Sequence, residues 1–432
     1  MNYYSLNKKA PIVSFKEATI LGQAPDKGLY FPSVIPKIDK ALIEHISSIK
    51  KVELAFKIML PYVGNTISEE ALYEIVKETI DFDFPLVPIN NQVSSLELFH
   101  GPTLAFKDVG ARFMSRCLGY FSKNQTNKIT VLVATSGDTG GAVANGFLGV
   151  EGVDVVILYP SGKVSPVQEL QLTTCGQNIT ALEVDGNFDD CQAMVKEAFM
   201  DADLNSTMQL TSANSINVAR WLPQQLYYFF AYQQWLDKDH PPVIAVPSGN
   251  FGNICAGVLA FVSGLPVEHF IAACNVNDTV PAFLRSGNYI PKLSIPTISN
   301  AMDVGNPSNF IRVMELLNNN FEQLSSFISG YTISDAITKQ TITNVYQQYN
   351  YILDPHGAVA YNAMDQYLQL HPTQKGVIVE TAHPIKFPET VETAIGKSIE
   401  VPESAKALFG KEKKSISMEA DFEILKSHLL HR

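Results

Sequence analysis

The sequence lacks the features that mark nucleic-acid-binding and membrane proteins. Only 17% of its residues are charged, its formal net charge is -11, and no basic cluster is dense enough to attract a phosphate backbone. The longest weakly polar run, residues 254–262, is too short to span a bilayer. We therefore expect neither nucleic acid nor a membrane among the partners of this protein.

Paired cysteines and clustered histidines are also missing. The five cysteines are scattered without a Cys-x-x-Cys pair, which indicates reduced thiols instead of a disulfide framework. The nine histidines have no metal-binding spacing, so no metal site is expected. Because no apolar stretch or small-residue cleavage site follows the N-terminal lysines, we expect a cytoplasmic protein.

Short apolar runs alternate with helical patterns along most of the chain. The strands predicted at 129–135, 243–247 and 376–381 are unbroken apolar runs, which is typical of parallel sheets covered on both faces in the α/β class. Long helices are predicted at 189–204 and 217–236. We divide the chain into an N-terminal region (1–95), a core of two α/β lobes (96–400) and a tail (401–432), which we expect to be a solvated surface helix or arm. In such sheets, ligands bind where strands lead into helices.

One lysine stands among apolar and turn residues at the predicted start of a helix. Residues 98–108 read LFHGPTLAFKD, and the helix that follows buries one apolar face between Val109 and Phe121. Lys107 then lies in the first turn, where the helix dipole and desolvation by Phe106 both favour the neutral amine. A neutral lysine can form a Schiff base with an aldehyde cofactor. The alternative is a lysine whose stem packs on Phe106 while its head reaches water.

A glycine-rich turn between a strand and a helix offers a phosphate site. Residues 244–254 read IAVPSGNFGNI, and the N–H groups of Gly249, Asn250, Phe251 and Gly252 lie where a helix begins. The segment has neither the lysine ending of a nucleotide P-loop nor the full Rossmann spacing, so ATP and NAD are not indicated. A plain tight turn is the alternative.

A second turn of the same kind occupies residues 133–142, VATSGDTGGA. Its candidate anion-binding groups are hydroxyls and a glycine N–H, from Thr135, Ser136, Gly137 and Thr139. Asp138 is unusual inside an anion site. It either caps the helix or accepts a hydrogen bond from a hydroxyl of a bound cofactor.

Two further segments carry polar groups at the ends of strands. Residues 211–220 read TSANSINVAR, which suits a phosphate-binding group or an N-capping box with nothing bound. Thr381 ends the apolar strand 376–381 and offers a hydroxyl, although threonine is also common as an ordinary strand residue. Two anion sites, a desolvated lysine and a strand-end hydroxyl in one α/β chain have one shared explanation, a phosphorylated aldehyde cofactor.

Taken together, these segments resemble the threonine synthases, which are pyridoxal-phosphate enzymes with the tryptophan synthase β fold (fold type II). The resemblance covers essentially the whole length, from residues 3–32 through the motifs above to Thr381-Ala382-His383-Pro384. Val109 and Asn253 depart from the family pattern, in which aromatic and aspartate residues are usual. Neither position is a proposed catalytic group.

The resemblance implies a role for each motif. Lys107 carries pyridoxal 5'-phosphate covalently, the turn 249–252 wraps its phosphate, and Thr381 faces the pyridine nitrogen. A neutral hydroxyl there moderates the electron sink and suppresses transamination relative to elimination. Asp138 lies near the ring hydroxyl, and the loop 135–139 binds the substrate carboxylate. The substrate phosphate is assigned to Ser215, Asn217 and Arg220.

The implied reaction converts O-phospho-L-homoserine and water to L-threonine and phosphate, with the Lys107 amine moving protons along the substrate chain. A serine or threonine dehydratase of the same fold is the first alternative, and it needs no site for a substrate phosphate. A catalytically inactive homologue is the second. No feature of the sequence indicates which oligomeric state the protein adopts.

Overall fold

The computed structural model describes residues 1–123 and 128–431. Its strands, numbered in chain order, are β1 (Asn2–Ser5), β2 (Val13–Ser14), β3 (Tyr30–Pro32), β4 (Leu86–Pro88), β5 (Val93–Glu97), β6 (Ile129–Ala134), β7 (Val153–Pro160), β8 (Ile179–Asp185), β9 (Gln209–Ser212), β10 (Val243–Pro247), β11 (His269–Cys274), β12 (Ile328–Thr332), β13 (Gly376–Glu380) and β14 (Ile416–Glu419).

The α-helices, numbered in the same way, are α1 (Phe15–Leu21), α2 (Lys40–Glu44), α3 (Lys51–Val63), α4 (Glu69–Thr79), α5 (Lys107–Ser122), α6 (Asp138–Phe147), α7 (Pro166–Thr173), α8 (Phe188–Met200), α9 (Ala202–Thr207), α10 (Val218–Trp221), α11 (Gln225–Gln234), α12 (Gly252–Ser263), α13 (Thr279–Ser286), α14 (Phe310–Leu316), α15 (Phe321–Phe327), α16 (Asp335–Tyr349), α17 (Pro355–Leu370), α18 (Pro388–Ile395), α19 (Glu403–Lys406) and α20 (Phe422–Leu430).

The two large sheets form two α/β lobes. One sheet has the strand order β12-β11-β10-β13-β5-β4 and is parallel except for the pair β4 and β5. The other has the order β14-β8-β7-β6-β9 and is parallel throughout. The predicted α/β class with mostly parallel sheets is therefore confirmed. A small antiparallel sheet, β2-β1-β3, belongs to the N-terminal region.

Alternate side chains of the central strands enter different cores. In β10, Ile244 and Val246 join one apolar cluster while Val243 and Ala245 join another. In β6, odd-numbered and even-numbered side chains separate in the same way. Because both faces are buried, each strand reads as a continuous apolar run.

Strand pairing brings the motifs to common edges. In the six-stranded sheet β10, β13 and β5 are parallel neighbours, so Gly249, Thr381 and Lys107 follow strands that end on the same side. In the five-stranded sheet β6 lies beside β9, which brings residues 135–139 near residues 213–220. The candidate site therefore lies where carboxyl ends of the two sheets meet.

Two predicted helices are interrupted. The segment 217–236 consists of α10, a 3-10 helix at Leu222–Gln224 and α11. Pro223 explains the break, because proline has no backbone N–H to donate. The segment 189–204 divides at Asp201, whose carboxylate accepts a hydrogen bond from the Leu204 N–H at 2.9 Å and begins α9.

Of the two alternatives expected for the tail after residue 401, α20 is a largely exposed surface helix, whereas a free arm is wrong. Residues of the tail form β14, which pairs in parallel with β8, and Leu425 and Leu429 of α20 are buried in the same lobe. The sequence obscures this contact because β14 has only one buried residue, Met418. Within 1–123 and 128–431, no helix is long and apolar enough to cross a membrane.

Candidate active site

Lys107 is the first residue of α5, and hydrogen bonds from the preceding residue, Phe106, to residues distant in sequence fix its position. The Phe106 N–H donates to the carbonyl of Thr381 at 2.9 Å, and the Phe106 carbonyl accepts from the Tyr227 hydroxyl. The turn before it contains Leu104 in a left-handed conformation, with a φ of 58°. Lys107 and Thr381 are thus held together through main-chain contacts.

The Lys107 amine has a pKa lowered to about 8. Burial is the largest cause, the cations Lys386 and Arg220 lower the pKa further, and Asp138 opposes them. Part of the residue's surface stays exposed, and its Nζ lies 5.7 Å from the centre of the Phe106 ring. Desolvation was expected from the sequence. The two neighbouring cations were not.

Asp138 is a buried anion in direct contact with a second lysine. Its Oδ1 lies 2.7 Å from Nζ of Lys386 and accepts from Nε2 of Gln168 at 2.8 Å. Burial alone would raise the pKa of Asp138, but Lys386 and Lys107 together hold it well below the usual range. The helix-cap alternative is wrong, because Gly137 occupies the N-cap of α6 and no side chain caps it.

The side chains of the loop 135–139 differ in how deeply they are buried. The Thr135 hydroxyl is buried and accepts from the N–H groups of Gly137 and Gly140 at 3.0 and 2.9 Å. Ser136 and Thr139 are half-buried. The side chains of Ser136 and Thr139 are therefore accessible to a ligand, while the hydrogen bonds to Thr135 maintain the shape of the loop.

The turn 249–252 has the close backbone contacts of a phosphate site. A Cβ added to Gly249 would lie 2.6 Å from Cα of Met302, so no larger residue fits there. Phe251 adopts a left-handed conformation, with a φ of 61°, at the N-cap of α12, and no side chain caps this helix. Its first N–H groups and its dipole are thus directed at a space suited to an anion.

Ser215 contacts the same turn. Its Oγ accepts hydrogen bonds at 3.0 Å from the amide groups of both Asn250 and Asn309. Beneath it, the buried guanidinium of Arg312 donates to the carbonyls of Ser215 and Ile216 at 3.1 and 2.6 Å. Sequence reasoning missed Asn309 and Arg312, which follow no recognised motif.

Asn217 and Arg220 lie deeper than the sequence suggested. Asn217 is the N-cap of α10, and its amide group donates to the carbonyls of Thr19 and Ser212 at 2.9 and 3.2 Å. Arg220 is 3% exposed and donates to the carbonyl of Ala213 at 2.7 Å. Their substrate-binding roles stay predictions, and the capping contacts of Asn217 match the alternative left open for this segment.

These residues fit pyridoxal 5'-phosphate. The uncapped start of α12 and the two glycines of the turn suit its phosphate, and a lysine of lowered pKa suits its aldehyde. Thr381, which is 7% exposed, follows the strand between those of Gly249 and Lys107. No group of three or more metal-ligating side chains occurs in the parts of the chain that the structure describes.

Fold and site together define a pyridoxal-phosphate-dependent enzyme. A family model described as "Pyridoxal-phosphate dependent enzyme" matches residues 89–381. Models described as "Threonine synthase N terminus" and "Threonine synthase, C-terminal" match residues 2–80 and 357–429. The chain belongs to the threonine synthase family.

Individual proteins similar to this chain are also threonine synthases. The threonine synthases of Haemophilus influenzae and Escherichia coli are 43% and 42% identical to this chain, with full coverage of both chains. The crystal structure of the E. coli enzyme has a TM-score of 0.92 over 100% of both chains. The pyridoxal-phosphate-bound threonine synthase of Brucella melitensis has a TM-score of 0.93 at 34% identity, covering 100% of this chain and 99% of that one. A threonine deaminase from Solanum lycopersicum, at 13% identity and a TM-score of 0.56, shares the fold alone.

Proposed function

We propose that this protein converts O-phospho-L-homoserine and water to L-threonine and phosphate, with pyridoxal 5'-phosphate bound to Lys107. The observation that carries the assignment of roles is the convergence of Lys107, the turn 249–252 and Thr381 on neighbouring strand ends. The sequence relatives support the same reaction over a dehydratase, since the Haemophilus influenzae and Escherichia coli proteins, each matched over the full chain, are named threonine synthases.

Lys107 is the proton carrier in this proposal. When bound, the cofactor supplies a conjugated ring that stabilises negative charge on substrate carbons. An amine with a pKa of about 8 can both accept and return protons near neutral pH. We assign to it the protons at the α and β carbons of the substrate.

The remaining polar groups bind the carboxylate and the phosphate of the substrate, and the phosphate and ring hydroxyl of the cofactor. We assign the substrate carboxylate to the half-buried side chains of Ser136 and Thr139 with the N–H of Gly137, and the cofactor phosphate to the turn 249–252. Ser215 stays our candidate for the substrate phosphate. It borders the turn through Asn250, so it lies close to the cofactor phosphate as well. Asp138 is assigned to the ring hydroxyl, with Lys386 as its counter-charge.

Small molecules are the only partners we propose. The net charge of -11 disfavours nucleic acid. The cytoplasm is the compartment we propose, since all five cysteines are free thiols and four of them are buried.

The test is a coupled measurement of products from authentic O-phospho-L-homoserine. We expect phosphate and threonine to form in equal amounts, and Lys107→Ala to lower turnover by at least about 10³-fold because it removes both the covalent anchor and the proton carrier. Phosphate released with ammonia and without threonine would contradict the reaction. Near-normal turnover in the variant would contradict the role of Lys107.

A further inference from the structure

His356 is a buried histidine that none of the proposed steps uses. It is 2% exposed, lies in the first turn of α17, and its Nδ1 is 2.6 Å from Oδ1 of Asp354. Asp354 is fully buried and caps the helix, accepting from the N–H groups of His356 and Gly357. The histidine is therefore held rigidly on one side by an anion.

The other ring nitrogen reaches the segment behind the phosphate turn. Nε2 of His356 accepts the N–H of Ala301 at 3.2 Å, so the ring is neutral and carries its hydrogen on Nδ1. Ala301 and Met302 lie directly against Gly249, where an added Cβ would be 2.8 Å from the Ala301 carbonyl oxygen. Each ring nitrogen has a protein partner, which leaves the imidazole no free position for proton transfer to substrate.

The same start of α17 also contacts the strand that leads to Thr381. The Asp354 N–H donates to Oε1 of Glu380 at 3.2 Å, and Glu380 immediately precedes Thr381. Burial and the Asp354 carboxylate raise the pKa of Glu380 well above its ordinary value, whereas hydrogen bonds from its neighbours lower the pKa of Asp354 against the effect of burial. The buried residue Asp354 thus links the strand of Thr381, through its main-chain N–H, to the segment behind Gly249, through its carboxylate and His356.

We propose that His356 is a positioning residue for the cofactor, which fixes the Ala301 segment against the phosphate-binding turn. The inference rests on the proposed function only in that the turn 249–252 binds the phosphate of pyridoxal 5'-phosphate. Without the bond from Ala301 to His356, the backing of Gly249 is held less firmly, by the remaining hydrogen bonds of the segment, such as that from the Met302 N–H to the Ser299 carbonyl. Affinity for a phosphorylated ligand then falls, while affinity for the ring alone changes little.

Two substitutions separate the two bonds of the imidazole. His356→Asn keeps a donor near Nδ1 for Asp354 and loses the acceptor for Ala301, whereas His356→Gln keeps an acceptor near Nε2. Apo-protein is titrated with pyridoxal 5'-phosphate and, separately, with pyridoxal. We expect His356→Asn to weaken pyridoxal 5'-phosphate binding about 10-fold, the effect of one lost buried hydrogen bond, with His356→Gln close to wild type.

His269→Asn is the matched control, because His269 is a partly buried histidine at the start of β11, away from the carboxyl ends of the strands. We expect its binding of both ligands to equal that of wild type. The proposal is overturned if His356→Asn and His356→Gln weaken binding equally, or if pyridoxal binding falls as much as binding of the phosphorylated form.

A measurement on the wild-type apo-protein keeps the proposal testable if the variants do not fold. Hydrogen exchange of a peptide covering 298–305 should find the Ala301 amide protected, and exchange as fast as in an exposed loop overturns the proposal.

A wild-type protein that binds pyridoxal 5'-phosphate but makes no threonine contradicts the proposed reaction. The affinity comparison stays valid in that case, so the two failures are distinguishable.

Discussion

The ammonium of Lys386 lies 2.7 Å from the carboxylate of Asp138, and the two side chains are 0% and 5% exposed. Lys386 also donates to the carbonyl of Thr103 at 2.8 Å, in the turn that precedes α5. Asp138 is therefore neutralised by a fixed partner, which reduces its capacity to hold the Lys107 amine in the protonated form. The ion pair leaves Lys107 available as a nucleophile at a pH where an ordinary lysine is charged.

Lys386→Met should raise the pKa of Lys107 above its value of about 8, because the substitution removes a repelling cation and frees Asp138 to pair with Lys107. We expect covalent capture of pyridoxal by the apo-protein to require a higher pH than in wild type. Absorbance spectra recorded across a pH series measure this change. Lys196→Met, at an exposed position of α8, serves as the control. A capture profile shared by Lys386→Met and wild type would refute the electrostatic role of Lys386.

The wild-type protein should itself have a distinctive pH profile. Aldehydes react with the neutral amine, and the neutral fraction rises as the pH rises through the pKa of about 8. Below that pH we expect the rate of pyridoxal capture to rise about 10-fold per pH unit, and above it to level off. Stopped-flow absorbance provides the rates, with Lys107→Ala as the blank. A rate that keeps climbing towards the pKa of an ordinary lysine would mean that Lys107 is not desolvated.

Gly249→Ala should damage the phosphate turn, because the new Cβ would lie 2.6 Å from Cα of Met302 and 2.8 Å from the Ala301 oxygen. Relieving such an overlap costs about 1–3 kcal/mol. We expect the affinity of the apo-protein for pyridoxal 5'-phosphate to fall about 10-fold or more, as fluorescence titration can measure. Gly410→Ala is the control, since no heavy atom beyond the glycine and its two chain neighbours lies within 4 Å of its added Cβ. Equal affinities in the two variants would argue against this turn as the phosphate site.

Leu425→Ala should destabilise the five-stranded lobe, because Leu425 is 0% exposed in the core beneath α20. Removing a buried leucine side chain costs about 2–5 kcal/mol. Its neighbour Ile424 is 43% exposed, and Ile424→Ala should cost much less. Urea denaturation of the two variants measures the difference in the free energy of unfolding. Equal losses would mean that the tail does not pack as described.

Patterns within a single segment predicted the fold and the main motifs. Unbroken apolar runs identified β6, β10 and β13 because both faces of each strand are buried, and glycine spacing located the turn 249–252. Contacts between segments far apart in sequence could not be predicted in this way. Lys386 comes two residues after the segment Thr381–Pro384, but only the fold brings it to Asp138. His356 and Ala301 are likewise far apart in sequence, and no local spacing predicts the hydrogen bond between them.

Composition leaves the role of a residue undecided where the same residue types serve two purposes. Asn217 and Arg220 belong to a polar cluster of the kind that binds phosphate, yet both side chains hydrogen-bond to backbone carbonyls inside the protein. Asparagine is equally suited to capping a helix and to binding a ligand. The side-chain contacts at these positions depend on the packing of α1 and α5 against α10, which local composition does not predict.

The parallel pairing of β14 with β8 has a consequence for biosynthesis. Domains generally fold in order of their synthesis on the ribosome, yet this lobe needs residues 416–430 to cover its outer edge. Until they emerge, β8 is an edge strand whose outer side is unpaired in the nascent chain, and this side is a template for association with other chains.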